Sequence, residues 1–109
     1  MFFYILPGPY RVGFGITSDY KRRAKDYTGA WGGVAEFSHV LEGPTPHVKR
    51  LENIIKTQHK DMLWRLDEWH TEWLDNGWSQ AQLYEFILDI IKQRHLPISV
   101  VFNQQQPET

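Results

Sequence analysis

Phe2-Phe3-Tyr4-Ile5-Leu6-Pro7-Gly8-Pro9-Tyr10-Arg11-Val12-Gly13-Phe14-Gly15-Ile16 opens the chain with two apolar runs divided by a Pro-Gly-Pro turn. The first run is unbroken, and the second alternates Val12 and Phe14 against Arg11 and Gly13, which predicts a β-hairpin. Working outward, Ser18 or Asp19 caps a helix that continues to about Tyr27 and stops before Gly29. Residues 33–41, bounded by glycines and carrying Val34, Phe37, Val40 and Leu41, predict a third strand, which Gly43 and Pro44 break. Thr45 as N-cap and Pro46 at the first helical position then open a helix to about His59. Residues 62–78 interleave four tryptophans with acidic residues and read mostly as loop with short helical or extended pieces. Ser79 with Gln82 forms a capping box for a helix over 80–93, with its apolar stripe at Leu83, Phe86, Ile87, Ile90 and Ile91. Residues 98–102 add a last strand. This order predicts an α+β domain on a small antiparallel sheet.

At 109 residues the chain fits one domain with a modest core. Apolar residues make up 41% and aromatics 15%, enough to drive packing, and only the tail 103–109 reads as disordered. The absence of cysteine excludes disulfides, thiol nucleophiles and Cys-based zinc sites, which fits a reducing, intracellular setting. The first residues have no basic n-region and run directly into Pro7, so they read as a strand and not a signal. No stretch approaches the roughly 20 apolar residues a membrane span needs, so a soluble chain without membrane contact is expected. Net charge is −1, yet residues 1–60 hold nine Lys/Arg against five Asp/Glu, and residues 61–109 hold three against eight. That polarity predicts a basic surface for a polyanion, with an acidic C-terminal half free to meet a protein partner; chance clustering on two solvated helices is the plain alternative.

Two charged residues stand on apolar helix faces. With Tyr20 at 0° and about 100° per residue, Arg23 falls near 300°, beside Tyr27 and Ala24, while Lys21, Arg22 and Lys25 point to water. An arginine there pairs, snorkels, or borders a cleft where it meets an anion. On the next helix Glu52 falls about 40° from Val48, on the side of Leu51 and Ile55, while Lys49, Asn53, Lys56 and Lys60 line the far side. A carboxylate so placed needs a cation, either a metal or Arg23 itself as an inert pair. Glu52, Arg23 and the phenols Tyr4 and Tyr27 are the groups that phosphodiester hydrolysis uses, for metal binding, transition-state charge and the attacking water.

Phe3-Tyr4-Ile5, then the run from Tyr10 through Gly15 to Arg23, then Tyr27, then Leu51-Glu52-Asn53 resembles the GIY-YIG nuclease superfamily. Thr71-Glu72-Trp73-Leu74 is similar to the G-E-W-F box of its short phage-type members. The resemblance implies a three-stranded antiparallel sheet flanked by helices with an additional C-terminal helix, as one domain over 1–102, its motif core at 2–60 and an extension at 61–102. It also implies roles. Tyr4 looks like the first-motif tyrosine that helps activate water, Gly15 like the closing glycine of the second motif, and Arg23 like the arginine that contacts the scissile phosphate. Tyr27 occupies the His/Tyr position one turn later, and Glu52 would hold one Mg²⁺ or Mn²⁺. Lys21, Arg22 and Lys25 would grip flanking DNA phosphates. The expected activity is that of a bacteriophage-type DNA endonuclease, a hydrolase working in the cytoplasm, the host's if phage-encoded.

The second-motif tyrosine is absent, its place taken by Gly13. A degenerate nuclease fold that binds nucleic acid or a host protein without cutting is therefore the alternative. The histidines match no zinc spacing. Trp64, Trp69, Trp73 and Trp78 are expected to pack in the core rather than stack on bases.

Overall fold

Phe3, Tyr4, Ile5 and Leu6 are all buried, so the strand that holds them is covered on both faces. In the computed structural model, which describes residues 1–8, 11–31, 37–66, 71–75 and 77–103, this strand is β1 (Phe2–Pro7). It pairs antiparallel with β2 (Val12–Thr17) on one side and with β3 (His39–Glu42) on the other. Beyond β2 lie β5 (Thr71–Leu74) and β4 (Leu63–Leu66), and beyond β3 lies β6 (Ser99–Asn103). Among the described residues the sheet therefore has six strands in the order β4-β5-β2-β1-β3-β6, with every pair antiparallel. The α+β class stands, but the three-stranded sheet does not. The stretch expected as loop contributes two strands, preceded by a 3₁₀ turn at Lys60–Met62.

Three helices cover the sheet: α1 (Tyr20–Trp31), α2 (Thr45–Gln58) and α3 (Gln80–Arg94). Asp19 is the cap of α1, its carboxylate accepting from the Arg22 N–H at 3.1 Å. Gly29 does not stop that helix, which runs on to Trp31. Thr45 is already helical and makes no side-chain cap; Pro44 precedes it, and Pro46 occupies the first turn as expected. The Ser79–Gln82 capping box forms in both directions, at 3.3 and 2.9 Å. The third strand is shorter than its apolar run, beginning at His39; residues 33–36 of that prediction, and the tail from 104 onward, lie outside the described residues. Asn103 belongs to β6. No helix among the described residues is long and apolar enough to cross a membrane.

Side-chain alternation divides the core into two layers. Phe3, Ile5, Val12, Phe14 and Leu41 face α2 and α3 and pack with Val48, Leu51, Ile55, Leu83 and Ile87. Tyr4, Leu6, Val40 and Trp73 face the other way, with Phe37, and Tyr20 and Ala24 of α1 pack against them. On this second face Gly13 is the register partner of Trp73 and Gly15 that of Tyr4. A Cβ at Gly15 would lie 2.5 Å from the Tyr4 hydroxyl and 2.7 Å from the ring carbon that bears it, so the phenol rests on bare backbone.

A buried histidine interrupts the first layer. His39 is fully buried, stacks on Tyr84 of α3 with ring centroids 3.9 Å apart, and shares a hydrogen bond of 2.9 Å between Nδ1 and the Ser38 hydroxyl. Its Nε2 is buried with no hydrogen-bond partner among the described residues. Burial holds its pKa below the ordinary 6.5. Burial likewise raises the Tyr84 phenol, against the opposing effect of its hydrogen bond with Asn103.

Two outcomes are expected. Gly15→Ala should cost about 1–3 kcal/mol in urea unfolding, part of it recovered when Tyr4→Leu is added to clear the ring. As pH falls below 6.5, the unfolded chain takes up a proton that folded His39 still refuses, so stability drops through the window down to the depressed folded value. Thermal unfolding from about pH 7 to pH 5 should show that drop, and His39→Leu should flatten it.

Candidate functional site

The backbone leaves β2 at Thr17, turns through Ser18 and Asp19, and enters α1. Thr17 fastens the turn, its hydroxyl oxygen accepting from the Asp19 N–H at 3.2 Å. Because Asp19 is spent on the helix cap, the arginines that follow are held at a fixed distance from the sheet. Thr17, Ser18, Asp19, Arg22 and Arg23 line a polar cavity of about 270 Å³. Arg23 is half-buried, as its helical phase predicts, and Arg22, Lys21 and Lys25 are exposed. Two guanidiniums and two hydroxyls outnumber the one carboxylate, Asp19, whose Oδ1 is engaged by the Arg22 N–H, so the cavity is suited to an anionic oxygen cluster such as a phosphate.

Tyr4 lies on the same face of the sheet as α1, stacked on Phe37 with centroids 4.5 Å apart and 1% exposed. Tyr20, three residues before Arg23, meets Phe2 edge-on at 5.0 Å. Tyr27 falls within α1, but its side chain lies outside the described residues.

Glu52 stands on α2, half-buried as its phase predicts, among Leu51 and Ile55 of the opposite core layer. Tyr4 and Glu52 are thus carried by elements on opposite faces of the sheet. One end of the sheet relates them. Phe2 is in register with both Thr17 and Glu42, so α1 and α2 set out from neighbouring points, and Arg23 lies one turn and Glu52 two turns along them.

Sequence reasoning missed the burial of the most enclosed carboxylate among the described residues. Glu72 of β5 is 4% exposed, opposite Phe14 in register and on the face covered by α2. Lys56, one turn beyond Glu52, reaches it with its Nζ 3.3 Å from Oε1. Lys56 is therefore not on the solvent side with Lys49 and Lys60. The signal was present: Glu72 is in phase with Leu74 on an alternating strand, but only once the segment is read as a strand. The expected packing of the tryptophans holds for Trp73, which is buried beside Tyr4, and for Trp78, which meets His59 and Phe86 at 4.7 and 5.2 Å. Trp69 lies outside the described residues, as does the side chain of Trp64. Among the described residues no three His, Asp or Glu side chains gather into a metal cage.

Residues 1–92 match the family model described as the T5orf172 domain. No curated protein and no solved structure matches the chain.

Replacing Lys56 takes a cationic partner from a buried carboxylate. Lys56→Met should destabilise the fold by about 1–3 kcal/mol in chemical unfolding, and adding Glu72→Leu should recover most of the loss. A double-mutant cycle that showed no coupling would exclude the pair as a structural link between α2 and β5.

Proposed function

The chain belongs to the T5orf172 domain family, a phage-associated domain found in nuclease-like proteins, and we propose that it is a phage-type endonuclease hydrolysing DNA phosphodiester bonds with one divalent metal. The observation that carries this reading is the polar cavity at the start of α1, where Arg22 and Arg23 meet two hydroxyls on the face that bears Tyr4 over Gly15. The match to the motif order of GIY-YIG nucleases supports it further.

In this reading Arg23 binds the scissile phosphate and stabilises the charge that grows on its oxygens as water attacks phosphorus and the bond to the leaving oxygen breaks. Tyr4 positions the water or takes its proton, and Tyr27 supports it from α1. Lys21, Arg22 and Lys25 hold neighbouring phosphates without reading sequence. The metal ligand in this reading is Glu52, which stands on α2 outside the lining of the α1 cavity; with no carboxylate cage among the described residues, a metal held there would complete its shell with water and phosphate oxygens, which suits Mg²⁺ or Mn²⁺. When bound, it supplies charge neutralisation at the phosphate.

A specific observation favours a second reading. Tyr4 is almost wholly buried, and Gly13, where the resemblance would carry a second tyrosine, is opposite Trp73. A first-motif phenol with so little exposure suits a fold that binds nucleic acid or a host protein without cutting.

Nicking of supercoiled plasmid with Mg²⁺ or Mn²⁺ decides between them. The nuclease reading expects wild-type cleavage to be lost on chelation and reduced at least about a hundredfold in Arg23→Ala and in Glu52→Ala. Wild-type protein that cleaves no faster than these variants, yet still binds DNA, would establish the second reading instead.

A further inference from the structure

On the outer side of α2, Lys49, Arg50, Asn53, Thr57 and Gln58 line a groove of about 490 Å³, joined there by Arg94 from the last turn of α3. No carboxylate lines it. Lys49, Arg50 and Arg94 are exposed and form no ion pair among the described residues, in contrast to Lys56 on the inner side of the same helix. From Pro46 to Gln58 the lining runs roughly 18 Å along the helix axis, longer than one small anion needs.

Topology brings this groove to the same end of the sheet as the α1 cavity. Phe2 pairs with Thr17 and with Glu42, and Glu42 pairs with Ser99. The start of α1, the start of α2 and the α3-to-β6 connection that follows Arg94 therefore emerge together. Arg22 and Arg23 lie on one side of that end, and Lys49, Arg50 and Arg94 on the other. Two exposed carboxylates, Asp19 and Glu42, share this end with the five cations, whereas Glu72 and Asp75 are engaged elsewhere, with Lys56 at 3.3 Å and with Arg11 at 3.5 Å.

We propose that the α2–α3 groove is a second phosphate-binding site, for the backbone of the same nucleic acid whose phosphate enters the α1 cavity, so that the polymer crosses one end of the sheet. Four of the five cations are arginines, which grip phosphate oxygens in bidentate fashion. Asn53, Thr57 and Gln58 add the neutral hydrogen-bonding groups that backbone contacts use. The site rests on the nucleic-acid reading above and extends its footprint beyond Lys21, Arg22 and Lys25.

The test is fluorescence anisotropy of a short labelled DNA duplex in EDTA across a salt series, with wild type, Lys49→Ala/Arg50→Ala/Arg94→Ala and Arg22→Ala compared, and unchanged circular dichroism required. The triple variant should weaken binding about tenfold or more near 0.1 M salt and flatten the slope of log affinity against log salt by about 0.9 for each cation removed. Unchanged affinity and slope, with wild type still binding and nicking, would overturn the groove while leaving the nuclease reading intact. Failure of wild type to bind or nick at all would overturn both. Labelled polyglutamate that binds wild type but not the triple variant, while duplex affinity and salt slope stay at wild-type values in that variant, would assign the groove to an acidic protein partner and overturn the nucleic-acid assignment.

Discussion

Burial of β1 on both faces is the constraint from which the rest of the structure follows. Four consecutive apolar side chains cannot all be covered by one helix layer, because alternate residues point to opposite sides of a sheet. The chain must therefore supply strands on both edges of β1 and helices above and below it. β2 and β3 take the edges, α2 and α3 cover one face, and α1 covers the other. The bare backbone of Gly15 leaves room for the Tyr4 ring beneath the layer that α1 packs over.

The same arrangement sorts charge. Helices that leave β2 and β3 at a shared end carry the cations of their first two turns toward that end, and Arg94 joins them because α3 returns there before β6. Away from it, the acidic C-terminal half is partly neutralised inside the fold. Lys56 ties Glu72 to α2 in a largely buried contact, whereas the more exposed Arg11–Asp75 pair contributes at most about 1 kcal/mol. A net charge near zero thus conceals a basic rim.

Much of this was legible in the chain itself. The α1 cap and the Ser79–Gln82 box rest on a side chain that meets backbone a few positions away, and the hairpin and the α2 span on local turn and proline signals. The half-buried placements of Arg23 and Glu52 follow from a rotation of about 100° per residue and needed no tertiary information. The segment 62–78 was not legible, because four tryptophans among acidic residues match neither a helical nor a strict two-residue period over its length. It becomes strand only because β2 offers an unpaired edge to Thr71–Leu74.

What the sequence determined alone was therefore the set of elements with strong local signals and the phase of Arg23 and Glu52 within their helices, though not that of Lys56, which was expected on the solvent side and turns inward. Which charges meet was decided by the tertiary structure. Periodicity says how far around a helix a residue lies, but not which face of the sheet that helix covers, since a connection of two or three residues can deliver it to either side. Only the completed sheet puts α1 on the Tyr4 face and α2 on the other, turns Lys56 inward to Glu72, and gathers Arg22, Arg23, Lys49, Arg50 and Arg94 at one end.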